Sequence, residues 1–200
     1  MGRIALIDYR AGNLTSVRKG LSAAGACVFT PSAPQEIAEA RAVIVPGVGH
    51  IGATRALSDD WRQAISGAIA NGTPLLGICL GLQWLFESSE EAHDVAGLGV
   101  MPGRCERLPS TVKVPHVGWN SLEIVRASTL LAGIAPGAQV YFTHSYAAPI
   151  TEATVAVTNH GTPFSAVVER NKVFGVQFHP EKSGEAGLQV LRNFVGLAAG

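Results

Sequence analysis

The stretch Pro74-Leu-Leu-Gly-Ile-Cys-Leu-Gly81 joins a short apolar run to the start of a helical pattern. The run from Pro74 to Ile78 predicts a β-strand that is buried on both faces of a parallel sheet. Glycine stands two residues before and two residues after Cys79, a spacing that resembles a nucleophile elbow. Because flanking side chains would collide in so sharp a turn, glycine is expected there, and Cys79 would be lifted above the end of the strand.

Short apolar runs alternate with helical patterns on the N-terminal side of this turn, which is typical of βαβ units. We predict strands at 4–8, 27–30 and 43–45 and helical segments at 14–24, 34–40 and 53–70. After the turn we predict a helical stretch at 80–88, loops at 89–109, strands at 111–114, 140–143 and 154–157, a hairpin at 164–168 and 173–178, and a helix at 185–195. The pattern indicates an α/β fold with an open, mixed but mostly parallel β-sheet flanked by helices. Without an internal repeat or a linker, residues 1–200 are predicted to form a single domain.

The overall composition limits the function classes. Lys and Arg number 15, as do Asp and Glu, so no net charge attracts nucleic acid or an anionic membrane. Three cysteines occur without a CxxC pair or a Cys/His cluster, which fits reduced thiols and argues against a metal site. We therefore expect a cytoplasmic protein with no nucleic-acid or membrane partner.

Val176-Gln-Phe-His-Pro-Glu181 places a histidine and a carboxylate two residues apart. Pro180 argues against a helix, and in an extended chain His179 and Glu181 would face the same side. The carboxylate could then hold one ring nitrogen while the other accepts the thiol proton of Cys79. The alternative is that a lone cysteine or histidine is structural, and we keep that interpretation for Cys27, Cys105, His93, His116 and His160. No role is assigned to His50 or His144.

Val43-Ile-Val-Pro-Gly-Val-Gly49 predicts a strand that ends in a glycine-rich turn at the same edge of the sheet as Cys79. The backbone N–H groups of Val48 and Leu80 are the natural pair to hold a developing oxyanion. By itself the Pro-Gly-Val-Gly segment fits an ordinary tight turn equally well.

Gly77-Ile-Cys-Leu-Gly-Leu-Gln83 together with Phe178-His-Pro-Glu181 resembles the class I, or triad, glutamine amidotransferases. Further segments are similar to the glutaminase subunits of imidazole glycerol phosphate synthase within that family: Ile7-Asp-Tyr-Arg-Ala-Gly-Asn-Leu14, Pro46-Gly-Val-Gly49, Pro115-His-Val-Gly-Trp-Asn120, Tyr141-Phe-Thr-His-Ser-Tyr146 and Glu181-Lys-Ser183. The sequence departs from the family pattern at Arg10, where glycine is expected, and at His50-Ile51, Leu82 and Val117.

The resemblance implies a flavodoxin-like sheet and the release of ammonia from glutamine through a Cys79 thioester, without a cofactor. It implies glutamine contacts from Gly49, Gln83, Ser145 and Tyr146. It also implies a heterodimer with a (βα)₈-barrel cyclase subunit, with an interface formed by Asn13, Trp119, Asn120, Tyr141 and Lys182.

Two alternative functions remain: another triad glutaminase or γ-glutamyl hydrolase, and a catalytically silent binding module that binds a nucleotide at residues 46–49. The second lacks the third glycine of the dinucleotide fingerprint.

Overall fold

The computed structural model describes residues 2–198 and contains 13 strands and four α-helices in that range. The strands are β1 (Arg3–Leu6), β2 (Cys27–Phe29), β3 (Ala42–Val45), β4 (Leu75–Ile78), β5 (Ser88–Ser89), β6 (Arg104–Arg107), β7 (His116–Ser121), β8 (Glu123–Ile124), β9 (Gln139–His144), β10 (Tyr146–Ala147), β11 (Thr154–Asn159), β12 (Pro163–Arg170) and β13 (Val173–Val176). The helices are α1 (Leu14–Ala23), α2 (Asp59–Ala70), α3 (Leu80–Leu85) and α4 (Gly184–Leu197), and short 3₁₀ helices cover Pro34–Glu39, Ile51–Ala56 and Pro180–Lys182.

Eight strands form the central sheet in the order β2-β1-β3-β4-β13-β12-β11-β8. The first five of these strands are parallel to one another, and the pairings β13–β12, β12–β11 and β11–β8 are antiparallel. The predicted mixed, mostly parallel sheet is therefore confirmed. Because β3, β4 and β13 are adjacent and parallel, the segments that follow them leave the sheet at the same edge, which brings residues 46–49, Cys79 and His179 close together.

Helices cover both faces of the sheet and divide the core in two. On one face α1 and α4 bury Val17, Leu21, Leu191 and Phe194 against the strands. The other face carries α2, α3 and the first 3₁₀ helix, with Trp84 and other apolar side chains fully buried. The strand pair β7–β9 lies outside the main sheet and packs Phe142 into the first of these cores.

Most predicted elements of the N-terminal half are confirmed, but three predictions for residues 53–114 are wrong. The helix predicted at 53–70 is divided into the 3₁₀ helix Ile51–Ala56 and α2, because Leu57 and Ser58 leave the helical path. Residues 111–114 form turns instead of a strand, while the loops predicted at 89–109 contain β6. Strand β7 was not predicted, since its pairing with β9 depends on residues far along the chain. Within residues 2–198, no helix has the length and apolar character needed to cross a membrane.

Replacement of Gly81 by alanine is expected to destabilise the fold. A Cβ atom at Gly81 would collide with the carbonyl group of Val45, which belongs to the rigid backbone of β3. We expect the free energy of unfolding, measured by urea denaturation, to fall by about 3 kcal/mol. The matched control is Gly67→Ala in α2, where a Cβ meets no atom within 4 Å; it should raise stability by roughly 0.5–1 kcal/mol. Equal effects of the two substitutions would refute this account.

Candidate active site

Cys79 occupies the turn between β4 and α3 in a conformation that L-residues rarely adopt. Its φ is 52° and its ψ is −103°. Such backbone strain costs of order 1–3 kcal/mol and persists where the surrounding structure enforces it. The N–H of Cys79 donates to the Val176 carbonyl at 2.8 Å, and its own carbonyl accepts from Gln83 N–H at 3.1 Å. The turn therefore has the geometry of the predicted nucleophile elbow.

The two flanking glycines are sterically required. A Cβ at Gly77 would lie 2.6 Å from the Gly81 carbonyl oxygen, and one at Gly81 would collide with Val45. The turn thus holds Cys79, a buried residue that is 5% exposed, over the carboxyl ends of β3 and β4. The Cys79 Sγ atom contacts the Thr143 carbonyl at 3.9 Å.

His179 and Glu181 form a buried pair next to this turn. The Nδ1 atom of His179 lies 2.9 Å from Oε1 of Glu181, and the two side chains are 2% and 1% exposed. The prediction that this segment stays extended is wrong, because Pro180 begins a 3₁₀ helix that ends at Lys182. Proline is tolerated in the first turn of a helix, where its missing N–H group is not needed. The tight turn, and not an extended chain, brings the carboxylate to the ring.

The electrostatic surroundings of His179 favour its protonated form. Burial lowers the pKa of His179, but the neighbouring Cys79 and Glu181 side chains outweigh burial and raise this pKa to about 9. Glu181 accepts from Nδ1–H, and among the described residues Nε2 has no hydrogen-bond partner. Nε2 is thus the ring atom that is available to exchange a proton with the Cys79 thiol.

Gln177 is a site residue that the sequence did not reveal. It is fully buried, and its amide Nε2 lies 3.6 Å from Cys79 Sγ. Its Oε1 accepts from Gln83 Nε2 at 3.3 Å, so one amide joins the thiol to a predicted substrate contact. A single glutamine between Val176 and Phe178 carries no spacing signal that would have identified it.

A cavity of about 260 Å³ opens beside the thiol and is lined by both predicted and unexpected residues. All four predicted glutamine contacts line it together with Cys79, namely Gly49, Gln83, Ser145 and Tyr146. The unexpected lining residues are Glu91, Pro115, Thr143 and His144. Glu91 also accepts a hydrogen bond from Ile51 N–H at 2.6 Å, which fixes its carboxylate at the rim. The tertiary fold thus adds one acidic group to the predicted set.

The two predicted oxyanion donors are both engaged by the protein itself. Val48 N–H donates to the Ala11 carbonyl at 2.8 Å, and Leu80 N–H donates to the Gly47 carbonyl at 3.3 Å. The Gly47 carbonyl therefore points toward the place that a substrate oxyanion would take. In this conformation both N–H groups are occupied, so the pair could not hold an oxyanion.

Tyr9 packs against this glycine-rich loop. Its hydroxyl lies so close to Gly47 that a Cβ there would collide with it. Burial, followed by the charge of nearby Cys79, raises the pKa of Tyr9 well above its usual value. The loop therefore rests on a neutral phenol, and only glycine fits at position 47.

Four of the five predicted partner residues lie on or beside β7 and β9, and Asn13 lies apart from them. Trp119 is 56% exposed and faces Tyr141 across β7 and β9, with ring centroids 6.1 Å apart. The Lys182 ammonium lies 5.8 Å from the centroid of the Tyr141 ring. Asn120 follows on the same strand, whereas Asn13 precedes α1 and is two residues from Ala11, whose carbonyl accepts from Val48 N–H.

Two departures from the family pattern have structural explanations. Arg10 has a φ of 62°, in the region that favours glycine, and its N–H donates to Asp8 Oδ1 at 2.9 Å. His50 caps the second 3₁₀ helix, because its Nδ1 accepts from Gly52 N–H at 2.9 Å. Neither residue lines the cavity beside Cys79.

Comparisons with known proteins agree with this geometry. Residues 5–197 match the family model described as glutamine amidotransferase class-I. The Methanothermobacter thermautotrophicus protein named imidazole glycerol phosphate synthase subunit HisH is 48% identical over 195 residues, covering 97% of this chain and 98% of the relative. The protein of the same name from Natronomonas pharaonis is 47% identical over 201 residues, covering 96% of this chain and 93% of the relative. The solved structure of PurLQS from Thermotoga maritima shares the fold, with a TM-score of 0.77 at 18% identity and 98% coverage of both chains.

The protonated His179–Glu181 pair should stabilise the protein in a pH-dependent way. Since the pKa of His179 rises from 6.5 to about 9 on folding, this stabilisation is complete below about pH 6.5 and is lost as the pH rises through about 9. We expect the free energy of unfolding of the wild type to exceed that of His179→Gln by less at about pH 10 than at about pH 6. The exposed His93→Gln serves as a control. A difference that grows with pH would contradict the raised pKa.

Proposed function

The chain belongs to the class I glutamine amidotransferases, within the family of imidazole glycerol phosphate synthase subunit HisH, and we propose that Cys79, His179 and Glu181 are its catalytic triad. The observation that carries the proposal is the buried His179–Glu181 pair beside a cysteine held in a strained elbow. Sequence matches across nearly the whole chain support it. Neither a silent binding module nor a structural cysteine has a use for this combination.

Glutamine hydrolysis requires a nucleophile and a proton shuttle. In the reactive form the proton of the Cys79 thiol has already passed to His179 Nε2, and the sulfur attacks the side-chain amide carbon of glutamine. The tetrahedral intermediate collapses when the imidazolium protonates the departing nitrogen, which leaves as ammonia, and a γ-glutamyl thioester remains. A water molecule then gives a proton to His179 and attacks the thioester, which releases glutamate and restores the thiol. Glu181 holds the ring by accepting from Nδ1–H throughout.

The lining of the cavity suits free glutamine. Glu91 supplies a negative charge for the α-ammonium group, as an ion pair with the substrate would require. Gln83, Ser145 and Tyr146 offer amide, hydroxyl and backbone groups for the polar ends of the substrate. Gly49 leaves room at the mouth, since a Cβ there would meet no atom within 4 Å.

The loop conformation explains how the activity would be held back. With the Gly47 carbonyl directed into the oxyanion position, the transition state lacks a donor that is worth about 3–4 kcal/mol. Rotation of the Gly47–Val48 peptide would remove this carbonyl and present Val48 N–H beside Leu80 N–H. A switch of this kind prevents wasteful hydrolysis when no acceptor for ammonia is present.

The proposed partner is a (βα)₈-barrel cyclase subunit that binds the phosphorylated ribonucleotide substrate. The relatives are named as subunits of imidazole glycerol phosphate synthase, and the exposed Trp119 with Tyr141 and Lys182 provides the aromatic and cationic anchors that interfaces favour. Ammonia would pass to the partner, which forms imidazole glycerol phosphate and the aminoimidazole carboxamide ribonucleotide of histidine biosynthesis. The protein is proposed to act in the cytoplasm.

Replacement of Cys79 by alanine should abolish glutaminase activity. The variant lacks the nucleophile, so ammonia release from glutamine by its complex with a barrel cyclase should fall by about 10⁴-fold or more. Cys27→Ala is the matched control because Cys27 is exposed and lies outside the site. Unchanged ammonia release by Cys79→Ala would refute the proposed enzyme mechanism, while equal loss in both variants would point to a folding defect.

Replacement of Trp119 by alanine should weaken the complex without affecting the fold. Loss of an aromatic anchor typically costs about 2 kcal/mol, which corresponds to roughly 30-fold weaker binding of the cyclase by calorimetry. Val125→Ala is the control, since Val125 is 53% exposed and follows β8 at the edge of the central sheet.

The wild-type chain should also gain glutaminase activity when the cyclase and its nucleotide substrate are added. High activity of the single chain, with no gain on mixing, would contradict the proposed partnership.

A further inference from the structure

Two histidines outside the proposed triad form a continuous hydrogen-bonded chain. His116 and His144 face each other across β7 and β9, with His116 Nδ1 3.0 Å from His144 Nε2. On the outer side, Asn120 Nδ2 lies 3.3 Å from His116 Nε2. On the inner side, His144 Nδ1 lies 2.9 Å from the carbonyl oxygen of Tyr146, which lines the glutamine cavity. The chain thus spans from the strand that carries Trp119 to the proposed substrate site.

The direction of each hydrogen bond follows from the groups at its two ends. A carbonyl oxygen only accepts, so His144 must carry its proton on Nδ1. Burial lowers the pKa of His144 to about 3, which leaves the ring neutral and its Nε2 unprotonated. His116 must then donate from Nδ1, and burial together with the neighbouring His160 lowers its pKa to about 4. Its Nε2 is therefore an acceptor for the amide of Asn120.

The outer end of the chain has a defined orientation as well. Asn120 Oδ1 accepts from Ser121 N–H at 2.8 Å, and Asn120 Nδ2 also donates to the Asn159 carbonyl at 3.0 Å. These contacts assign the amide nitrogen to the side that faces His116. Every donor in the chain consequently points inward, from Asn120 through both imidazoles to Tyr146.

Packing fixes the rings in this arrangement. The His116 ring is stacked between Phe142, at 4.8 Å, and His160, at 4.1 Å between centroids. The inner end meets a second donor, because Gln83 Nε2 also donates to the Tyr146 carbonyl, at 2.7 Å. A shift of β7 would therefore reach the backbone of Tyr146 through hydrogen bonds, with little free space to absorb the displacement.

We propose that His116 and His144 are positioning residues. They form a relay of hydrogen bonds, with every donor pointing inward, from Asn120, on the proposed partner surface, to the Ser145–Tyr146 segment of the glutamine site. The relay holds the substrate-binding backbone in place and makes its position sensitive to what contacts β7. This inference rests on the proposed function for its consequence, but its hydrogen bonds exist independently of any activity.

The tautomers provide a test that does not require turnover. Free neutral imidazole prefers the proton on Nε2, whereas the relay requires both rings to carry it on Nδ1. We expect long-range ¹H–¹⁵N spectra of the full chain, assigned with His116→Asn and His144→Asn, to show neutral Nδ1–H forms for both residues. The Nε2–H form or a charged ring at either position, near neutral pH, would overturn the relay whether or not the chain hydrolyses glutamine.

Asparagine substitutions break the relay at single bonds. In both variants the new amide can take the place of Nδ1–H, but the Nε2 acceptor is lost. For the complex with a barrel cyclase, we expect either variant to raise the KM for glutamine by about tenfold, with a smaller change in kcat. The double variant should be no worse than the single ones, since both cut the same chain. Additive losses or an unchanged KM would overturn the positioning role, and the exposed His93→Asn should match the wild type.

Discussion

The site depends on the absence of side chains at the point where the turn at Cys79 passes against β3. Gly81 lies directly against the backbone of Val45, and Gly77 lies against Gly81. This close approach forces Cys79 into its strained conformation and brings Leu80 N–H to the Gly47 carbonyl. The proposed nucleophile and the proposed oxyanion loop are neighbours because their strands are adjacent in the sheet and no Cβ separates them.

Strand β9 connects the parts of the molecule that act together. Its Tyr141 carbonyl accepts from His179 N–H at 2.9 Å, and Tyr141 N–H donates to Ser183 Oγ at 2.9 Å. Ser183 in turn donates to the His179 carbonyl at 2.7 Å, which fixes the backbone of His179 from both sides. At its other end the strand carries His144 to the cavity beside Cys79. One strand therefore supports the proposed base, the proposed substrate site and the exposed partner surface.

The parts of the fold that were predicted correctly are those with local signals. Strands β1, β3 and β4 are continuous apolar runs, and the hairpin of β12 and β13 has a polar turn between two such runs. The middle of the chain lacked such signals, since β7 mixes glycine with polar and exposed residues and is held by β9. The site followed the same rule: the elbow was evident from its glycines, whereas Glu91 and Gln177 are isolated polar residues that only folding brings to the cavity and to the Cys79 thiol, respectively.

The sequence by itself determined the α/β class, the position of Cys79 in a glycine-flanked turn, and the pairing of His179 with Glu181, because each depends on residues within a few positions of one another. The tertiary structure decided the cavity lining and the hydrogen bonds that occupy Val48 and Leu80. Those features depend on which carbonyl or side chain lies opposite a given group. That neighbour comes from a distant part of the chain, and only the packing of strands and loops selects it.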